Sequence, residues 1–472
     1  MSLFQKHPSA RYFVVTALGL LLLAPYLYAW TLGDLRKETV AFEYAFFAAF
    51  ALYSVAVILI LRDEKPLATK WLVVIFAFAI LFRAVLVFTP PRLSDDMFRY
   101  VWDGRVQTHD INPYAYPPNA PQLAPLRDTE IYPRINRKPA VTVYPAGAEL
   151  AYALLWRIVP DSVRWFQIAM ALGDLVAGAL LVLLLRAMNQ PAQRVLIYLW
   201  SPLLIFETAH AAHVDGLLLP FLIGAWLLRV KMRAGASGAL LGASIALKLF
   251  PIILFPALWR VQGESFKRIW SLPLAMLAAF LLPYAFYLSQ DAGVLGFLPN
   301  YFDERFNMGL AGALSYFIER YTTLKPQMMV NGILAVTLAA LSLYFFLRPA
   351  RDGAEAVRRC IYPIGAFTLL TQNLFPWYAL WLVPLVAMFL RAGKLGFRFD
   401  AWTGWFVFTG LVALAYTFFI KWRVVEWAIW AQFVPLYFFL VVPPLWNWIQ
   451  TRRAPHLSPP TAALENAGYA SK

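Results

Sequence analysis

Residues 69–100 read TKWLVVIFAFAILFRAVLVFTPPRLSDDMFRY. The first part is an almost unbroken apolar run of about 20 residues, the length an α-helix needs to cross a bilayer. The run stops at Thr89-Pro90-Pro91, and two adjacent carboxylates, Asp95 and Asp96, follow at once. Paired acids at the water edge of a membrane span are costly to hold. They repel each other, and one pKa can be driven upward. The pair is therefore a candidate general base. The competing reading is a helix start whose dipole favours acids.

The rest of the chain agrees with a membrane origin for this stretch. Of 472 residues, 61% are hydrophobic and 14% charged, against about 25% charged in soluble domains. Aromatic residues make up 17%, with 18 Trp, as suits side chains that anchor at membrane interfaces. The expected fold is all-α and polytopic. The single Cys360 excludes an intramolecular disulfide framework and any Cys-based metal cluster. The net charge of +15 falls mostly between apolar segments, where topology uses it. It also suits anionic lipid headgroups or an anionic lipid substrate. No basic recognition element supports nucleic-acid binding.

Apolar runs predict spans near 12–31, 41–62, 69–90, 164–187, 194–212, 213–230, 269–288, 327–347, 357–374, 376–391, 401–420 and 427–449. The first, preceded by Lys6 and Arg11, is too long for a signal peptide and is read as a retained span. Residues 146–159 are apolar but short, and 237–259 contain Lys248, Pro251 and Pro256, which break a helix. If the first of these stays at the outer surface and the second dips in and returns, the basic connections share one side. That gives about 12–13 spans, with both termini cytoplasmic. The outer face then receives residues 91–163, the 210–215 turn, the 289–326 loop and the turns at 372–377 and 421–426. Residues 1–450 form one domain, and 451–472, with Pro459-Pro460, read as a disordered cytoplasmic tail.

The 91–145 loop is too long for a plain connection. Its prolines confine helix to short pieces, one over 95–107 capped by Ser94 and another after Pro145. Spacings of three and four bring Arg99 beside the acids, with Trp102, Asp103 and Arg105 further along the same helix. Tyr114 and Tyr144 sit in rigid proline turns and offer rings on which a sugar can stack. His210, His213 and Asp215 flank an outer turn. Their spacing is not a standard zinc set, and polar lining of a site is the better reading. Lys248 inside an apolar run is functional by default, or else it snorkels to the interface. Asp174 and Glu207 are intramembrane acids in search of partners. Arg305, Lys421 and Arg423 are outward cations that break the positive-inside bias, and so are candidates for an anionic ligand.

Asp95-Asp96-x-x-Arg99-Tyr100-x-x-Asp103-Gly104, then Asn112-Pro113-Tyr114, then Tyr144-Pro145, resembles the polyprenyl-phosphate-dependent GT-C glycosyltransferases. The likeness is greatest to glycosyltransferase family 87 and related mannosyltransferases. Lys248-Leu249-Phe250-Pro251-Ile252 and Gln372-Asn373-Leu374-Phe375-Pro376-Trp377-Tyr378 are similar to segments of a further relative. That relative is the catalytic subunit of the mannosyltransferase that starts glycosylphosphatidylinositol glycans. The resemblance runs from about residue 90 to 390. It implies a GT-C fold, a donor sugar linked to polyprenyl phosphate, and an acid of the first outer loop as base. That acid is Asp95 or Asp96, with Asp95 favoured at the helix start. It also implies chemistry that needs no metal or other cofactor.

The expected function is inverting transfer of a sugar, mannose by family likeness, to a hydroxyl of a cell-envelope glycan or glycolipid. The expected setting is the extracytoplasmic face of a bacterial inner membrane, with the protein a monomer among membrane lipids. Arg99, Arg105, Lys248, Arg305, Lys421 and Arg423 are the candidate donor-phosphate cations. Trp102, Asp103, Tyr114, Tyr144, His210, His213, Asp215, Gln372 and Trp377 are the candidate sugar and acceptor contacts. Two other classes use similar ingredients: a lipid-linked sugar transporter or flippase, and an envelope polysaccharide polymerase or ligase.

Overall fold

The computed structural model describes residues 8–62, 69–288, 304–394 and 396–453, with Gly293 and Gly296 between. Lys6, most of the C-terminal tail and most of 289–303 in the second outer loop lie outside the described residues. Among the described residues there is no strand beyond isolated bridges. The longer helices are α1 (Pro8–Thr31), α2 (Thr39–Leu61), α3 (Thr69–Val87), α4 (Asp96–Thr108), α5 (Ala146–Ile158) and α6 (Val163–Ala187). They continue with α7 (Asp215–Val230), α8 (Ala234–Leu247), α9 (Phe266–Leu281), α10 (Leu310–Tyr321), α11 (Pro326–Leu347), α12 (Ala401–Leu411) and α13 (Glu426–Arg453).

Eight of the described helical stretches are long and apolar enough to cross a membrane. They are α1, α2, α3, α6, α9, α11, the stretch from Ala401 to Lys421, and α13. Each falls on an expected span. The α9 and α11 windows are only 11% buried, so these helices leave most of their apolar surface exposed, as lipid-facing helices do. This is a polytopic membrane protein.

Of the remaining expected spans, 213–230 forms the continuous 16-residue α7, and the other three are broken. The 194–212 segment is broken into Val195–Leu199, Pro202–Ile205 and a π-helical turn, Phe206–His210. Segments 357–374 and 376–391 are likewise shorter pieces, interrupted at Cys360 and Trp381. A buried ion pair pins the broken segment. Arg83 of α3 donates through Nε to Asp174 of α6 at 2.8 Å and through Nη1 to the Leu199 carbonyl at 2.9 Å. Tyr198 and Thr208 hydroxyls donate to the same carboxylate at 2.6 and 2.9 Å. The intramembrane Asp174 is thus a structural anchor. It orients Arg83, whose guanidinium in turn satisfies the Leu199 carbonyl at the helix break.

The 91–163 loop is attached to this frame by close helix contacts. A Cβ on Gly104 of α4 would lie 2.7 Å from the Tyr152 carbonyl oxygen of α5. A Cβ on Gly147 of α5 would lie 2.7 Å from the Ala246 carbonyl oxygen of α8. The acids at the start of α4 are therefore linked, through α5, to Lys248 just past the end of α8. Gly104→Ala should cost about 1–3 kcal/mol by overpacking this junction, read as a lower melting temperature in detergent.

Candidate active site

The Ser94 hydroxyl accepts the Asp96 N–H at 3.2 Å and fixes the entry into α4. Asp96 occupies the first turn, where the helix dipole favours its charge. Both acids open onto a cavity of about 1000 Å³. One part of its wall is polar and aromatic, with Arg99, Asn136, Tyr144, Arg305 and Trp377. Another part is apolar, with Leu249, Ile252, Ile253, Leu334, Leu338 and Phe367.

The two acids differ in their partners. Arg36 Nη1 donates to Asp95 Oδ2 at 2.8 Å, while the Arg36 guanidinium also packs over the Phe419 ring. Asp96 accepts the Asn136 amide at 2.7 Å through Oδ1, and its Oδ2 lies 3.9 Å from His213 Nε2. The charge of Asp95 is thus engaged by a neighbouring cation. Asp96 faces a neutral amide and an imidazole.

His213 is buried and stacks on Trp377, with ring centroids 3.9 Å apart. Its Nδ1 lies 3.0 Å from Glu207 Oε2, and the Tyr416 hydroxyl donates to Glu207 Oε1 at 2.6 Å. Glu207 sits on the π-helical turn, an irregularity often found at functional sites. Glu207 therefore stands behind His213 as His213 stands behind Asp96.

Lys248 does not snorkel. The proline at 251 cannot donate a backbone hydrogen bond, and α8 ends at Leu247 with Lys248 in extended conformation. Its Nζ donates to the fully buried Asp215 at 2.7 Å and lies 4.8 Å from the Tyr378 ring centroid. Trp381 Nε1 donates to the other Asp215 oxygen at 3.0 Å. The result is an ammonium clamped in the cavity wall, with its direction fixed by a carboxylate and two aromatic residues.

Arg99, Tyr144, Lys248, Arg305 and Trp377 therefore join Asp95 and Asp96 at one cavity. Asp215 acts on it through Lys248, and His213 through Asp96. Other candidates lie elsewhere. Arg105 points away, held by Asp128, Asp161 and the Leu126 carbonyl. Trp102 packs inside the loop against Tyr132 and Arg105. The Tyr114 hydroxyl donates to the Tyr144 carbonyl at 2.7 Å and supports that turn from behind. His210 Nε2 accepts the Arg92 N–H and its Nδ1 is 2.8 Å from the Thr89 hydroxyl, which ties down the Pro90–Pro91 corner. Gln372 donates to Asn331 at 2.8 Å. Lys421 and Arg423 are exposed beyond the cavity rim, although Trp422 between them lines it.

Asp103 forms a buried cluster behind the site. Arg99 Nε donates to both its oxygens at 2.8 Å. Glu149 lies next to it and accepts from Thr142 at 2.6 Å and Gln107 at 3.0 Å. Burial, and then the adjacent Asp103 carboxylate, push the Glu149 carboxyl well above the usual range. Glu149 therefore carries the proton of the pair and Asp103 keeps Arg99. A group with a raised folded-state pKa stabilises at low pH, and the stabilisation is lost as pH rises through that value. Melting temperature should fall as pH rises above the ordinary carboxylate range in the native protein and fall less in Glu149→Gln, whose amide never ionises.

Sequence reasoning missed Arg36, Asn136, Arg137, Glu304, Asn373 and Tyr416, of which all line the cavity. A signal existed for Arg36, a cation in the 32–38 connection, which the expected topology would put outside together with Arg305, against the positive-inside bias. Asn136 and Arg137 carry no such signal, because the loop has no period. Arg137 pairs with Glu304, and Asn373 donates to Glu304 at 3.0 Å, joining three distant loops.

A family model described as alpha-(1->6)-mannopyranosyltransferase, N-terminal domain, matches residues 16–262, just over half of the chain. The matched stretch contains Asp95, Asp96, His213, Asp215 and Lys248. No curated protein matches the chain.

Proposed function

This chain belongs to the alpha-(1->6)-mannopyranosyltransferase family, and on that premise we propose that its mannosyl donor is a polyprenyl-phosphate mannose. The observation that carries this reading is the mixed character of one cavity. Its apolar wall, from Leu249 to Leu338, suits an isoprenoid chain, and its polar wall holds Asp96, Lys248 and Arg305. A nucleotide-sugar donor would have no use for the first.

In this mechanism the donor enters from the bilayer, with its phosphate against Lys248 and Arg305. Positive charge placed where the leaving phosphate gains charge lowers the barrier. The group departs as a phosphate monoester, so no general acid is called for and no metal is invoked. An acceptor hydroxyl gives its proton to Asp96 as its oxygen attacks the anomeric carbon from the opposite face, and the configuration inverts. Asp96, not Asp95, is the assigned base, since Arg36 already engages Asp95. His213 is the next stop for the proton, with Glu207 behind it. Asp95 and Arg36 shape the approach of the acceptor.

The acceptor is a hydroxyl of an envelope glycan or glycolipid. The loop carrying the site lies on the extracytoplasmic side of a bacterial inner membrane, with both termini cytoplasmic. Incubating the purified protein in detergent with short-chain polyprenyl-phosphate mannose and octyl α-mannoside as acceptor separates this from transport. A transferase releases free polyprenyl phosphate, and a flippase releases none.

A further inference from the structure

A second, smaller pocket of about 190 Å³ lies against the first. Asp34, Arg36, Pro91, Arg92, Asp95, Phe98, Pro133, Arg134 and Ile135 surround it, and Arg36 and Asp95 belong to both pockets. The 2.8 Å Arg36–Asp95 ion pair is therefore the partition between them.

We propose that this pocket holds the terminal hexose ring of the acceptor and presents its hydroxyl past Asp95 to the donor cavity. The proposal rests on the donor reading above. Its volume is that of one sugar ring, with no room for a lipid chain. Its wall is mostly polar, as a hydroxyl-rich ring needs. Asp34 can accept hydroxyl hydrogens, and Arg36, Arg92 and Arg134 can donate to sugar oxygens. Phe98 is itself buried, with the Arg134 guanidinium 5.3 Å from its ring centroid.

The pocket is also built into the fold. Asp34 Oδ1 accepts the Arg36 N–H at 3.1 Å, so the 32–38 connection presents both side chains together. The Arg92 N–H donates to His210 Nε2 at 3.3 Å, which fixes the opposite lip. His210 therefore acts on the acceptor pocket indirectly, by holding its wall. In-line attack requires the acceptor oxygen on the face of the anomeric carbon opposite the leaving phosphate, so the acceptor hydroxyl reaches past the ion pair into the donor cavity. The Arg36–Asp95 pair borders that passage, and Asp96, which lines the donor cavity, takes the proton there.

Octyl α-mannoside serves as the acceptor probe, with binding followed by saturation-transfer NMR and turnover by mass spectrometry. Arg134→Ala and Asp34→Ala, both at accessible positions, should each weaken octyl mannoside binding about tenfold and raise its KM similarly. The donor KM should not change. The Lys248→Met/Asp215→Asn double variant, which removes both charges of the buried pair, should leave octyl mannoside binding intact. The proposal is overturned if Arg134→Ala and Asp34→Ala bind the mannoside as the native protein does, or if the folded double variant alone loses it. Mannoside binding that depends on Arg134 and Asp34, without turnover of the polyprenyl donor, would remove the donor reading and leave the pocket standing.

Discussion

Asp96→Asn lowers the transfer rate by about 10²–10⁴-fold, the usual worth of a positioned general base. Asparagine keeps the size of the side chain and still accepts from Asn136, so the fold and the donor KM should hold. What it cannot do is take the acceptor proton. Asp95→Asn should behave differently. It weakens the 2.8 Å contact with Arg36 but leaves Asp96 beside His213, so a loss of about tenfold is expected, read mainly in the acceptor KM. Activity assays of the two single variants separate the roles. A larger kcat loss in Asp95→Asn than in Asp96→Asn would reverse the assignment. His213→Gln supplies a further check. It should narrow the pH range over which kcat is maximal, because the proton then has no imidazole to pass to.

Lys248→Met lowers kcat by about 10²–10³-fold, as loss of a charge aimed at the leaving group does in other oxyanion-stabilising sites. The substitution also strips Asp215 of its cation. Breaking a buried pair from one side costs about 3–5 kcal/mol, so a dead single variant would not by itself distinguish lost chemistry from lost fold. Pairing it with Asp215→Asn resolves this. The double variant removes both charges, keeps an acceptor for Trp381, and should recover most of the melting temperature while remaining slow. Recovery of rate along with stability would mean that Lys248 is there only to satisfy Asp215.

The sequence was a good guide wherever hydrophobicity has a period or a length. The long spans from α1 to α13 were legible because about 20 apolar residues have few other uses. The break at Lys248 was legible too, since Pro251 cannot complete a helix there. The segments at 194–212 and 357–391 were not, because apolar composition is the same in a straight helix and in an interrupted one. The interruptions rest on long-range bonds such as Arg83 to Leu199, which no local window contains.

The site divides in the same way. Asp95, Asp96 and Lys248 stood out as charges in apolar surroundings. Arg105 stood out on the same helix as Arg99, but helix spacing cannot tell which charge is consumed by Asp128 and Asp161 and which one reaches the cavity. His213 was noticed for its spacing to His210, whereas its significance comes from Glu207 and Trp377, neighbours through folding of an irregular turn. Asn136 and Glu304 were invisible because irregular loops have no period to read.

Donor chemistry is tested most directly by giving the purified protein two mannose donors of equal concentration, a β-linked short-chain polyprenyl-phosphate mannose and a nucleotide-diphosphate mannose, with octyl α-mannoside as acceptor. The expected result is an α-linked dimannoside from the polyprenyl donor alone, with stoichiometric release of polyprenyl phosphate and loss of both products in Asp96→Asn. Dimannoside formed from the nucleotide donor, or a β-linked product from the polyprenyl donor, would contradict it.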